Sequence, residues 1–459
     1  MQQLSQKQIS IFCSFVFLFL FAFAFIFSFE RLNSDAGYYF FYTVNTSWFH
    51  IEHGRIVLVL AEVLTVIGSL LHLPLKLIAL LYSFNHVLFA GLLAFICFRK
   101  FKDKNATLLI AILQFTGLKL SVFTPQFELY YGLGILVFTL SFIKFTNLTK
   151  TANSVIYHFA IGLLLVLIFT SHPMAIYCTF VGLLLFFFKK ENRSIWILSF
   201  GILVFYFIWK QWTVSDYEKN KFNGFSDALK HNVSGFFDLK FIVKCLQFLA
   251  TYYWDCLILF VSGIYLFIKK TTYKKAVIYI LAIKGSLIII WLMFPPENMT
   301  RYIEQVYFPF VFLSCIWLFE FKINRILSVG ILCLFIFRIS GMIQCGMDNK
   351  HRTEQMEYFI ELAETQNGSK FYVNEVKMGK VMYEKANWSY GFETLLYSAI
   401  YNNKALTITK DDDMEYNNNY IKLGPDDFLF RPFEIIPTSA LNQQYFKLEN
   451  GLYKPLIVP

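Results

Sequence analysis

A carboxylate at the edge of a long apolar stretch can take a proton from a hydroxyl presented at a membrane surface. Residues 27–55, FSFERLNSDAGYYFFYTVNTSWFHIEHGR, contain such a group. Asp35 follows an almost unbroken apolar run of about 20 residues, the length that spans a bilayer as a helix. Tyr38, Tyr39, His50, Glu52, His53 and Arg55 come after it. Such an aspartate is either a general base for a lipid-borne substrate or a solvated helix end. Cations suited to holding a phosphate stand in other loops. Arg301, in MTRYIEQVYFPF, immediately precedes a late apolar run, where a guanidinium either matches phosphate geometry or snorkels to the interface. Arg55, Lys219 and Lys221 are further candidates, as is His172, which stands before Pro173 and could equally cap a helix junction. Glu128, in TPQFELYYG, is a second acid. It could orient an acceptor, help to hold a divalent cation, or serve as a carboxylate at a helix start.

The elements that must position these residues follow from composition. Of 459 residues, 57% are hydrophobic, 16% are charged and 55 are Phe, with a mean hydropathy of +0.51, more apolar surface than a soluble core can hide. Apolar runs lie near 9–29, 75–98, 106–123, 133–149, 154–171, 174–188, 194–210, 246–268, 276–294, 304–319 and 326–345. The run 56–71 is different. Its 16 residues, with Glu62 in the middle, reach roughly 24 Å as a helix against a hydrocarbon core of about 30 Å.

Charge then sets direction. With 56–71 lying at the interface, RKFKDK (99–104), KFTNLTK (144–150), KKENR (189–193), KKTTYKK (269–275) and KINR (322–325) all face the cytoplasm. If it crosses, all five face outward. The expectation is therefore an α-helical polytopic membrane protein of about 11 spans, with the amino terminus inside and the carboxyl terminus outside. Residues 1–345 form the membrane domain and 346–459 a small extracytoplasmic α/β domain. In that tail, Met356, Phe359, Ile360 and Ala363 make one helical stripe, and Phe392, Leu395, Leu396, Ala399 and Ile400 another. KFYV and ALTIT read as strands, and YFKLENGLYKPL as a hairpin turning at Asn450–Gly451.

The net charge of +10 is concentrated in the membrane part, since residues 347–459 hold 12 Lys/Arg against 16 Asp/Glu. The cations sit in short loops, as the positive-inside rule requires, so no nucleic-acid partner is implied. Eight cysteines lie scattered, nearly all in apolar runs, with no metal-binding spacing. His50 and His53 are spaced as neighbouring ligands on a helix, but no third ligand accompanies them, and no metal site is expected.

The segment NSDAGYYF resembles the Asp-x-x-Tyr element that opens polytopic GT-C glycosyltransferases, a group that includes protein O-mannosyltransferases and aminoarabinose transferases. The order of elements through residue 345 is similar too: an acidic first outer loop, an interfacial segment, SHP closing a span, and RY with FPF before a late span. One departure is Ala36, where many members carry a Glu after the Asp. The resemblance implies a GT-C-like bundle in a bacterial inner membrane, with a polyprenyl-phosphate-linked sugar as donor and no certain cofactor. For such a transfer the residues' own chemistry makes Asp35 and Glu128 the candidate acids, and Arg301, Arg55, His172, Lys219 and Lys221 the candidates for holding the donor phosphate. Tyr38, Tyr39, His53, Tyr131 and Tyr302 would contact substrate, unless the aromatics are an interfacial belt. An envelope polysaccharide polymerase or ligase, and a transporter or flippase, are the competing readings. The second of these usually shows paired repeats, and none is evident.

Overall fold

Without water to bond to, the backbone of an apolar run satisfies its N–H and C=O groups most simply as an α-helix. The computed structural model is mostly helical, with a small sheet region near the carboxyl terminus. It describes all residues except 1–4, 150–153, 215–217, 221, 222, 225, 226, 228, 229, 231, 234–237, 272, 296, 297, 375–387, 402–404 and 459.

Helix α1 (Gln6–Ile26) starts at a reciprocal cap between Ser5 and Gln8 and buries Ile9, Cys13, Val16, Leu20 and Phe23, one stripe at helical spacing. Helices α2 (Asp35–Thr46) and α3 (Leu58–Leu70) follow, then α4 (Leu75–Arg99), α5 (Lys104–Leu113), α6 (Glu128–Thr149), α7 (Val155–Phe169), α8 (Pro173–Phe186) and α9 (Arg193–Thr213). After them come α10 (Leu239–Tyr252), α11 (Trp254–Lys270), α12 (Tyr273–Met293), α13 (Arg301–Cys315), α14 (Arg325–Glu364) and α15 (Tyr390–Tyr401). Among the described residues seven helices are long and apolar enough to cross a membrane, or eight if α10 and α11, bent by 98° to each other, are one broken span. This suits a multi-pass membrane protein. Helix α3 has only 13 residues, and its buried Glu62 accepts the His50 backbone N–H at 2.7 Å, which accounts for a carboxylate inside an apolar run.

The run 106–123 is not the single helix expected. Helix α5 stops after ten residues, and the chain continues to Phe127 as buried turns. Carboxylates from neighbouring helices receive the freed donors. Glu304 of α13 accepts the N–H groups of Lys119, Leu120 and Ser121 at 2.8–2.9 Å, and Asp255 of α11 accepts that of Gly117 at 2.9 Å. Asp255 is in turn held by Arg338 of α14 at 2.7 Å. Irregular backbone persists at such depth only where protein groups satisfy it. Gly117 has φ +66°, and a Cβ there would press on Val311 at 2.5 Å.

The polar loops gather at two ends of the helices. At one end Lys144 pairs with Asp103 at 3.1 Å, Asn147 with Asn192 at 2.9 Å, Lys275 with Glu320 at 2.7 Å, and Asn105 reaches the Phe319 carbonyl at 3.3 Å. Glu128 stands at the other end of α6, roughly 24 Å from Lys144 at 1.5 Å per residue. There it meets Arg55.

Helix α14 runs for 40 residues, about 60 Å and twice a hydrocarbon core, so its last turns rise into the carboxyl-terminal part. Strands β1 (Lys370–Val373) and β2 (Thr407–Lys410) pair in parallel, with α15 between them in sequence. The predicted stripe from Met356 to Ala363 is buried against them. Strands β3 (Asp427–Arg431) and β4 (Glu434–Pro437) make an antiparallel hairpin, and β5 (Lys454–Pro455) adds to β1 in parallel. The hairpin expected over 445–456 is therefore absent. Phe446 and Leu448 are drawn into a core, and the Leu456 N–H bonds to the Tyr372 carbonyl at 2.8 Å, so long-range pairing displaces the local turn. That core unites α15 (Phe392, Leu395, Leu396) and β3 (Phe428, Phe430) with α2 (Tyr38, Phe40, Phe41). The segment that follows α1 and the carboxyl-terminal part share one interior.

Candidate functional site

Between α1 and α2 the chain makes a tight turn that presents Asp35. Buried Arg31 ties it to α4, with Nη1 2.7 Å from the Ser83 carbonyl and Nη2 2.7 Å from His86 Nδ1. The Tyr82 hydroxyl donates to the Ala36 carbonyl at 2.9 Å. Gly37 allows the closure, since a Cβ there would lie 2.1 Å from the Leu32 carbonyl oxygen. Gly37→Ala is therefore expected to cost stability in the range of about 1–3 kcal/mol or more, read as a lower melting temperature of the purified protein. Melting like wild type would show that the turn is loose.

Asp35 is the first residue of α2, where the helix dipole favours an anion. Its side chain is exposed, and among the described residues no hydrogen bond engages its carboxylate. It nevertheless lies deep between the surrounding elements. Loss of hydration is the largest influence on it and raises its pKa, Glu128 adds to the rise, and Arg301 opposes it. Glu128 and Arg301 thus both lie within electrostatic reach of Asp35.

Arg301 opens α13, and its Nη2 donates to Asn349 Oδ1 at 2.6 Å while its guanidinium lies 5.9 Å over the Phe123 ring. Its Nη1 reaches the Asn33 carbonyl, two residues before Asp35, at 3.5 Å. Arg55 forms an ion pair with Glu128, whose field holds the guanidinium charged although burial opposes it. Glu128 is thereby an anchor for a cation, unlike Asp35. His172 caps α8, its Nδ1 accepting the Met174 N–H at 3.2 Å. Burial and the Arg55 charge push its pKa down to about 4, so at neutral pH the ring is uncharged and Nε2 carries the hydrogen as a donor.

Glu52 organises the aromatic loop. The Tyr38 hydroxyl donates to it, Tyr39 lies at 3.4 Å, and His50 and His53 flank it at 3.4 and 3.6 Å. Burial alone would raise its pKa, but the hydrogen bonds from His50 and Tyr38, with the fields of both histidines, hold it down at about 2. Tyr42 stacks on His50 at 4.4 Å and donates to Glu434 at 2.6 Å, and Arg431 covers the Tyr38 ring at 4.5 Å. Tyr38 and Tyr39 are accordingly buried with their hydroxyls committed. Tyr131 is fully buried too, its hydroxyl donating to the Pro125 carbonyl at 3.0 Å, which makes it a packing residue. Tyr302 is exposed and meets Phe294 edge-on, and Lys219 is exposed. Lys221 lies outside the described residues. Among the described residues no group of three His, Cys, Asp or Glu side chains is placed to hold a metal ion.

Asn33, Asn349, Arg352, Glu393 and Arg431 were not legible as site residues. Only Glu393 left a signal, as a charge inside the apolar stripe of FETLLYSAI, three and four residues ahead of Leu396 and Tyr397.

No family model matches the chain, and no curated protein or solved structure matches it. The chemistry must be argued from these side chains.

Proposed function

We propose that the chain is a membrane glycosyltransferase that moves a sugar from a polyprenyl-phosphate donor to an acceptor hydroxyl at the outer face of a bacterial inner membrane. The observation that carries this reading is Asp35, a solvent-reached carboxylate with raised proton affinity on a tightly held turn, beside the guanidinium of Arg301. In the reaction the acceptor oxygen bonds to the anomeric carbon, the bond from that carbon to the phosphate oxygen breaks, and the acceptor proton passes to Asp35. The polyprenyl phosphate leaves as an anion. Arg301 and Arg55 stabilise it by charge, and the His172 Nε2–H adds a neutral donor. Glu128 keeps Arg55 oriented. The test is transfer from undecaprenyl-phosphate-linked radiolabelled sugars by the purified protein in proteoliposomes. Absence of turnover across hexose and pentose donors, with the protein shown folded, would remove the proposal.

The same reading requires a GT-C-like bundle of about 11 crossings, with the shorter α5, α7 and α8 completing passes. The amino terminus then lies inside and the carboxyl-terminal part outside. In a cysteine-free background, an impermeant thiol reagent added from outside should label a cysteine at Asn450 and spare one at Lys102. The opposite pattern would invert the topology and put Asp35 on the cytoplasmic side.

A further inference from the structure

Ser34, the residue before Asp35, has φ 56° and ψ −131°. Glycine enters this region freely, and other residues stay there only when their surroundings hold them. The Ser34 side chain does not cap α2. Its backbone N–H instead donates to Oε1 of Glu393 in α15. Oε2 of the same carboxylate is paired with Arg352 of α14. Both partners are fully buried.

One turn of α14 governs both functional groups. Asn349 accepts from Arg301 at 2.6 Å and, three residues on, Arg352 fixes the carboxylate that holds Ser34. The Tyr397 hydroxyl of α15, 2.8 Å from Asn33 Oδ1, braces the same turn.

We propose that Glu393 is a positioning residue for Asp35: clamped by Arg352, it holds the Ser34 N–H so that the chain enters α2 through a glycine-like conformation and delivers the Asp35 carboxylate beside Arg301. The carboxyl-terminal part is then a working component of the acidic loop. The proposal takes from the transferase reading only what Asp35 does once it is placed. A simple packing role for the Arg352–Glu393 pair makes a different prediction, because it involves no coupling to the backbone at position 34.

The test is a double-mutant cycle on the full chain in lipid nanodiscs, with dicyclohexylcarbodiimide as the probe, which adds to protonated carboxyls. Modification of Asp35 is followed by peptide mass spectrometry across pH, where the groups facing it are Glu128, Arg301, Glu52 and Arg431. In Glu393→Gln the Asp35 carboxyl leaves its surroundings, and its modification profile shifts to lower pH, toward that of an ordinary aspartate. Ser34→Gly alone reacts as wild type and melts no lower. The double variant regains most of the lost reactivity, because glycine needs no clamp. If Glu393→Gln does not fold, Glu393→Asp keeps a charge for Arg352 while drawing back from Ser34, and the same pattern is expected. Unchanged reactivity in the Glu393 variants, a double variant as unreactive as the single, or a lower melting temperature in Ser34→Gly would each overturn the proposal. Transfer activity plays no part in this readout. Full transfer by Asp35→Asn would remove the transferase reading and leave the coupling intact, whereas an unaltered Glu393→Gln profile would do the reverse.

Discussion

Asp35→Asn is expected to lower transfer by about 10²- to 10⁴-fold, the usual loss when a general base is removed. The amide keeps the shape of the side chain and its place at the start of α2 but cannot accept the acceptor proton. In the wild type, transfer should fall as pH drops through the raised pKa of Asp35, giving an acid limb above that of an ordinary aspartate. Stability should respond in the opposite sense. The folded carboxyl holds its proton to a higher pH than the unfolded one, whose reference value is 3.8, so the folded state binds more protons between the two values. Stability therefore falls as pH rises through that window, and the ionised side chain is a net cost at neutral pH. Asparagine never ionises. Asp35→Asn should then melt at a higher temperature than wild type at neutral pH while transferring almost nothing. Near-normal transfer in this variant would make Asp35 a solvated helix end.

Arg301→Ala is expected to weaken donor binding by about 10- to 100-fold, since hydrogen bonds to a charged group are worth roughly 1.5–3 kcal/mol each. Arg301→Lys should recover only part of this, because an ammonium offers a point charge in place of the planar fork. The guanidinium is supported by the Phe123 ring and by Asn349, so its orientation is set before donor arrives. The measurement is binding of undecaprenyl-phosphate-linked sugar to the detergent-solubilised variants, with Arg55→Ala alongside. Arg55→Ala should also lower the melting temperature, because it leaves Glu128 without its ion-pair partner. If Arg301→Ala binds the donor as tightly as wild type, the residue is an interface anchor and the phosphate must be sought near Arg55 and His172.

Much of the architecture could be read from residue order. The cluster of polar and aromatic residues between Asp35 and Arg55, the short helix around Glu62, and the two buried stripes of the carboxyl-terminal part all depend on short-range periodicity, and all are present. The run 106–123 departs from a single helix for a physical reason. Its hydropathy is that of a helix, but Gly117 and the carboxylates of Asp255 and Glu304, which come more than a hundred residues later, make a broken path as well satisfied as a helical one. The hairpin expected near Asn450 failed similarly, since β1 offers β5 a partner that no local pattern reveals.

By itself the sequence determined the apolar helices, the gathering of basic residues in alternate loops, and the position of Asp35 just after the first helix, because each depends on composition summed along neighbouring residues. Only the tertiary structure decided what surrounds that aspartate. Asn33, Arg301 and Asn349 are joined across hundreds of residues, and Ser34 meets Glu393 from the far end of the chain. Hydropathy describes how much a segment avoids water. It carries no record of which buried carboxylate will meet which backbone N–H, since that match is made when the helices pack and every buried polar group must find a partner.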